Sequence, residues 1–254
     1  MVEFCETQSF FVKKRGQVSN MGGLDKATLL KRRYMATVRF YAESGMACIN
    51  VPRVGRGSSV PATPHDELSN QRSAASRNRR NLILRVRSNR PTHFVTLTFA
   101  TPTEVFDASQ AWNQLTAKWR KHLKGFYIRV AEYSEEKNLH FHILCSATIS
   151  DYLKANWSHG FVDIKRVPFK DLDRRCGYMA KDFDNPNRPI RRRFVASKGS
   201  KPRCEEMHFD SMDDALEGVA ELSSSSVVAL DIDIHKTSFG SFGDVRWNPV
   251  LNGR

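Results

Sequence analysis

The stretch Leu139-His140-Phe141-His142-Ile143-Leu144 decides how this chain folds and what chemistry it can carry. In a strand, successive side chains point to opposite faces, so His140 and His142 share one face while Phe141 and Ile143 share the other. Two imidazoles side by side on a rigid element make half of a metal site. Just upstream, Arg129-Val130-Ala131-Glu132-Tyr133 reads as a preceding strand and Ser134-Glu135-Glu136-Lys137-Asn138 as a turn. A hairpin folded about Glu136 places Glu132 opposite His140, where cross-strand partners on one face lie close together. Two nitrogens and one carboxylate then converge, a borderline donor set that admits Mn²⁺, Mg²⁺, Zn²⁺ or Fe²⁺. An isolated His-x-His is also what two solvated or core-satisfied histidines look like. The choice therefore turns on Gly177-Tyr178-Met179-Ala180-Lys181-Asp182, which adds a phenol and an amine three apart on one helix face.

Together with the strand Phe94-Val95-Thr96-Leu97-Thr98-Phe99, these pieces resemble the three motifs of the HUH endonucleases. More narrowly, they look like the single-tyrosine rolling-circle replication initiators of phages and plasmids. The family order is a Phe/hydrophobic-Thr-Leu-Thr strand, then His-hydrophobic-His, then Tyr-x-x-Lys, and all three occur in that order over residues 93 to 182. Trp157-Ser158-His159-Gly160-Phe161-Val162 and Arg192-Arg193-Phe194-Val195-Ala196 are also similar to what these proteins carry around the third motif. The resemblance covers residues 72 to 203.

It implies a ferredoxin- or RRM-like palm with the paired histidines on a central strand and the tyrosine helix above them. It implies a divalent metal ion, Mg²⁺ or Mn²⁺, held by His140, His142 and Glu132. Tyr178 would attack a phosphate of single-stranded DNA at a replication origin, giving a 5′-phosphotyrosyl protein and a free 3′-hydroxyl. Lys181 would neutralise developing charge or orient the strand, and Asp182 extends the match. A host helicase and polymerase follow as partners. A free tyrosine is a poor nucleophile at neutral pH, with a pKa of about 10, so it needs an electrophile whose charge is neutralised. The covalent link would keep the bond energy, which suits nicking and rejoining without ATP.

Composition agrees with a nucleic-acid partner. The 254 residues carry a formal net charge of +13, which favours a polyanion. Hydrophobic residues at 40% and aromatics at 10% are enough for a real core. No apolar run is long enough to span a bilayer, so no membrane partner is expected. The stretch Met1 to Glu6 has no signal-peptide pattern, and Cys5, Cys48, Cys145, Cys176 and Cys204 lack Cys-x-x-Cys spacing. These features predict reduced thiols and a cytoplasmic setting.

Along the chain, residues 1–71 read as an N-terminal extension, partly disordered or helical, with a basic helix over Lys26 to Tyr41 and a loop over 50–70. Residues 72–203 form the endonuclease and DNA-binding domain. It opens with Arg72 to Arg90, an acid-free segment read as a helix whose Arg77, Arg79, Arg80, Arg85 and Arg87 track phosphates. Its alternative is a solvated charged face. Trp112, Leu115, Trp119 and Leu123 recur at helical spacing, and the tryptophans read as core rather than base-stacking platforms. Thr96 and Thr98 are expected to support the neighbouring strand, and His159 to be a loop histidine. A helix opened by Pro168 or Asp171 carries Tyr178, and Tyr152 is the rival nucleophile. Residues 204–254 form an acidic C-terminal extension, with a helix-like segment from Glu205 to Glu221 and a strand over Val227 to Ile234.

The order strand, helix, strand, strand, strand, helix predicts an α+β fold, with a central antiparallel sheet and helices mainly on one face. No phosphate-binding loop of the ATPase kind occurs. Three rivals use some of the same parts. A His/His/carboxylate iron oxygenase needs a β-barrel. A non-catalytic nucleic-acid-binding module would bind and cut nothing. A single-tyrosine HUH transposase would share the site residue for residue.

Overall fold

The computed structural model describes residues 36–52, 64–119, 124–134, 138–224, 231–237 and 240–248. In chain order the elements are β1 (Ala36–Tyr41), β2 (Met46–Pro52), α1 (Pro64–Asn89), β3 (His93–Phe99), α2 (Val105–Trp119), β4 (Tyr127–Tyr133), β5 (Leu139–Cys145) and α3 (Ala147–Asn156). Then come β6 (Gly160–Arg166), α4 (Leu172–Met179), β7 (Val195–Ala196), β8 (Glu205–Phe209), α5 (Met212–Ser224), β9 (Asp231–Thr237) and β10 (Gly240–Arg246). The class is α+β with two antiparallel five-stranded sheets.

The sheet that matters for function has the order β6-β3-β5-β4-β7, so β5 is central. Its strands alternate as the period of two demands. Val95, Leu97 and Phe99 of β3 and Leu139, Phe141, Ile143 and Cys145 of β5 are buried on one face. Against them pack Ala108, Trp112, Leu115 and Trp119 of α2 and Ile149 and Leu153 of α3. Trp112 and Trp119 stand edge-to-face at 5.5 Å and are core residues. The opposite face carries Phe94, Thr96, Thr98, His140 and His142, and above it lies α4, held in turn by α1. This sheet is open at both edges, so the β-barrel of an iron oxygenase is not the architecture here.

Two departures from the sequence reading have plain causes. The described part of Lys26 to Tyr41, Ala36–Tyr41, is a strand and not a helix. Ala36, Val38 and Phe40 are buried while Arg39 is exposed, and this period of two, buried against Ile49 and Met207, overrides the sparse helical spacing. Residues 26–35 lie outside the described residues. The basic helix starts at Pro64, inside the expected loop, because proline is well suited to a first helical position.

The segments flanking the central domain are not two independent extensions. The chain divides into one unit from Met1–Ser58 with Arg203–Arg254, and another from Ser59–Pro202. In the first, β8 pairs with β1 and β10 with β2, giving the order β8-β1-β2-β10-β9. The acidic segment is a strand, β8, followed by the helix α5, whose Ala215 and Val219 pack on β1 and β2. Cys48, Cys145, Cys176 and Cys204 are free thiols, and burial pushes Cys145 up to about 12. Among the described residues, no helix is long and apolar enough to cross a membrane.

Gly160 opens β6 with φ +152°, and a Cβ there would fall on the Thr98 carbonyl oxygen and the Ala100 nitrogen. Backbone of this kind gives little, and a strained φ costs a further ~1–3 kcal/mol. Gly160→Ala is therefore expected to destabilise the domain by at least about 2 kcal/mol in urea melts. A loss below about 0.5 kcal/mol would show that the β3–β6 edge yields.

Candidate active site

The β4–β5 hairpin has the register that a turn about residue 136 sets, with Glu132 opposite His140 and Val130 opposite His142. Residues 135–137, including Glu135 and Glu136, lie outside the described residues, but Ser134 N–H donates to the Asn138 carbonyl at 2.9 Å and closes the strands. On the other side, β3 brings Thr98 opposite His140 and Thr96 opposite His142. Each threonine does more than support a strand. Thr96 Oγ1 lies 3.2 Å from His142 Nδ1, and Thr98 Oγ1 lies 3.3 Å from His140 Nδ1. Both rings are thus held by Nδ1, which leaves both Nε2 atoms for other partners.

Those partners differ. His142 Nε2 lies 3.1 Å from Glu132 Oε2, whereas His140 Nε2 is buried with no hydrogen-bond partner. The second oxygen of Glu132 meets Lys181 Nζ at 2.5 Å. Burial pushes the Glu132 pKa up, but the hydrogen bonds from His142 and Lys181 outweigh it and hold the carboxyl below its ordinary value. The bond to Glu132 raises Lys181, while burial and then the neighbouring His142 lower His140.

Among the described residues, no three His, Cys, Asp or Glu side chains stand in a ready metal-holding arrangement. The reason is visible in the contacts. Glu132 is turned to Lys181 and His142, and the two imidazole centroids are 6.3 Å apart. The donor chemistry still fits a divalent ion: two Nδ1-anchored imidazoles, one of them with an orphaned buried Nε2, and a carboxylate held ionised beside them.

Tyr178 stands in the last turn of α4, 44% exposed. Its ring lies edge-on to His142 at 5.2 Å and to Phe94 at 6.2 Å. The helix ends at Met179, so Lys181 sits in the following turn rather than on the helix, and its Nζ lies 4.7 Å from the Tyr178 ring centre. The structure thus brings His140, His142, Glu132, Tyr178 and Lys181 to one place. Tyr152 is on α3, across the sheet, edge-on to Trp119, and cannot serve the same point. His159 lies away from the paired histidines, against Trp157 and Phe99.

The basic segment is built differently from the sequence expectation. Arg87 is buried and bonds Asp173 at 2.8 Å, an acid supplied by α4. Arg85 donates to Ser200 Oγ at 2.7 Å, Arg79 donates to the Ala180 carbonyl at 3.1 Å, and Arg80 is engaged within the chain. Arg77 is exposed. Three of these arginines therefore fasten α1 to the tyrosine helix and its neighbours. Sequence offered one missed signal, since a helix with no acid of its own seeks acids elsewhere.

Residues 92–186 match the family model of replication-associated proteins of the ORF2 type. This stretch contains every residue of the site, and the match supports a role in replication initiation. No curated protein and no solved structure matches the chain.

Arg79 caps the carbonyl end of α4, where an orphaned C=O would otherwise face its neighbours. Arg79→Ala is expected to cost about 1–2 kcal/mol, in the range for a hydrogen bond from a charged donor. Amide exchange at residues 180–183 should rise at least about tenfold, since each 1.4 kcal/mol is a factor of ten. Unchanged exchange there would remove Arg79 from the support of the site.

Proposed function

We propose that this protein is a site-specific, single-stranded DNA nicking and joining endonuclease that initiates rolling-circle replication. One observation carries this reading. An exposed phenol, Tyr178, and an ammonium, Lys181, stand over a histidine pair and a carboxylate, all within the segment that matches a replication-associated family. A binding module has no use for an orphaned imidazole beside an exposed tyrosine.

In the proposed step, Tyr178 Oη attacks phosphorus in the DNA backbone and gives its proton to solvent. The Oη–P bond forms, the P–O3′ bond breaks, and the 3′-oxygen leaves as a hydroxyl after taking a proton. Lys181 Nζ, close to the phenol ring, stabilises the negative charge that gathers on the tyrosyl oxygen and phosphate. His140 Nε2, His142 Nε2 and the Glu132 carboxylate would hold one divalent ion, Mg²⁺ or Mn²⁺. When bound, it supplies Lewis-acid neutralisation of the phosphate oxygens, worth several kcal/mol of barrier. Thr96 and Thr98 fix both rings so that this arrangement costs little reordering.

Tyr178→Phe removes one hydroxyl from a ring held by His142 and Phe94. It is expected to leave folding and DNA affinity within about twofold while abolishing the covalent protein–DNA species on denaturing gels. A persisting adduct would assign the nucleophile elsewhere. Glu132→Gln keeps volume and an oxygen but loses charge, so nicking should demand more Mn²⁺, by about tenfold or more, as outer and inner ligand losses commonly do. His140→Ala should be rescued less, because a whole ligand and its direction are gone. Titration of Mn²⁺ against nicking decides this, and wild-type metal dependence in Glu132→Gln would remove the carboxylate from the ligand set.

A further inference from the structure

The site lies in the middle of a sheet, and its two flanks differ. On the β4 side it is closed. Phe183, Arg188, Ile190 and Arg193 crowd over Val130 and Glu132, and β7 pairs along β4. The cleft there also contains the Glu132 and Asp182 carboxylates, which repel a phosphate. On the β6 side the face is bare. Phe161, Asp163 and Lys165 of the edge strand stand opposite Thr98, Thr96 and Phe94, and all three are exposed.

Two features of the open flank have no internal purpose. Phe161 is 71% exposed, makes no ring contact among the described residues, and lies in one cross-strand row with Thr98, His140 and Glu132. Arg175, one helical turn before Tyr178, has its guanidinium 5.2 Å over the Phe94 ring and its buried Nε has no hydrogen-bond partner. By contrast, Arg174 pairs with Asp171, and Asp163 is neutralised by Lys165 at 3.1 Å. Burying part of an uncommitted guanidinium costs free energy that an anion would return. An aromatic ring on an open strand offers a base a stacking surface at no steric cost.

Resting on the nicking function proposed above, the geometry points to a track for the substrate. Single-stranded DNA crosses from the site over β3 to β6, with a base stacked on Phe161 and a phosphate beside the scissile one gripped by Arg175. The spacing suits it, because rows two residues apart on a strand are separated by about 6–7 Å, close to one nucleotide step. Charge suits it too, since Arg175 and Lys165 flank the path and no unpaired carboxylate among the described residues of β6 opposes it. Phe161 and Arg175 are here positioning residues for the strand, not catalytic ones.

The test uses the full chain carrying Tyr178→Phe and a short fluorescein-labelled oligodeoxythymidylate, with anisotropy titrations at several salt concentrations. Phe161→Ala is expected to weaken binding by about 5- to 150-fold, the range for one lost base–aromatic stack, and Phe161→Trp to restore it. Arg175→Ala should flatten the slope of log K against log salt by about 0.7, the share of one single-strand phosphate. Arg175→Lys should keep the slope. An iodouracil-substituted oligonucleotide should crosslink to the peptide containing Phe161. Binding within about twofold for Phe161→Ala, with the slope unchanged in Arg175→Ala, overturns the track. So does a crosslink to residues 183–193, or self-association that is lost in Phe161→Ala while DNA affinity stays. The nicking function is read separately, from the adduct formed with Tyr178 intact. An adduct with no binding change in these variants leaves nicking standing and removes the track. No adduct at all removes both.

Discussion

Every position in the site descends from the pairing of Glu132 with His140 across the β4–β5 hairpin. Side chains alternate with a period of two, so a slip of one residue would move the whole polar set of a strand to its other face. Such a slip in β5 would bury His140 and His142 under Trp112 and expose Phe141 and Ile143. The cost would be several fully buried side chains, each worth about 1.5–3 kcal/mol. The apolar face fixes the register, and the register then delivers the histidines, the carboxylate and both threonines to one spot. Chemistry and core are here two faces of the same strands.

This explains what could be read from the residues alone. Alternation in His93–Phe99 and Leu139–Cys145, and the three-and-four spacing of Trp112, Leu115 and Trp119, are local signals of burial, and they located the functional sheet and its covering helix. The Glu132–His140 pairing was legible because a short hairpin has few registers. Pairing of β1 with β8 was not, because strands some 170 residues apart leave no local trace of each other. That is why the two flanking segments read as extensions, although they complete one sheet. The approach of α4 to the sheet could be read only through the resemblance. Its attachments, Arg79 to Ala180 and Arg87 to Asp173, are tertiary and invisible to periodicity.

The arginines show how little net charge says about any one residue. A total of +13 points to a polyanion, yet Arg79, Arg85 and Arg87 are used inside the fold. Arg129 goes further. Its place in the alternation puts it on the apolar face opposite Ile143, with its guanidinium 4.1 Å from the centre of Phe141 and 4.7 Å from that of Trp112. Its Nε and Nη1 find no hydrogen-bond partner, and burial pulls its pKa down to about 10. Two cation–π contacts, at about 2 kcal/mol each when desolvated, return only part of a desolvation cost of several kcal/mol. The sequence Arg-Val-Ala-Glu-Tyr thus holds one charge that serves the site and one that burdens the core.

The paired threonines resolve a conflict at His142. The Nε2 atom of this ring cannot both donate a proton to Glu132 and offer its lone pair as a ligand. Which it does is set at the far side of the ring, where Thr96 Oγ1 sits 3.2 Å from Nδ1. A hydroxyl is both donor and acceptor. When it donates to Nδ1, Nε2 carries the proton and bonds Glu132, the arrangement seen at 3.1 Å. When it accepts from Nδ1–H, Nε2 has a free lone pair and the Glu132 oxygen is released from it. A carbonyl or a carboxylate in that place could only accept, and would lock one form. Lys181 completes the exchange, because its ammonium keeps Glu132 charged in either state. On the proposed function, the same four side chains therefore suit a resting site closed on itself and a working one open to an ion and a phosphate, with no strand displaced.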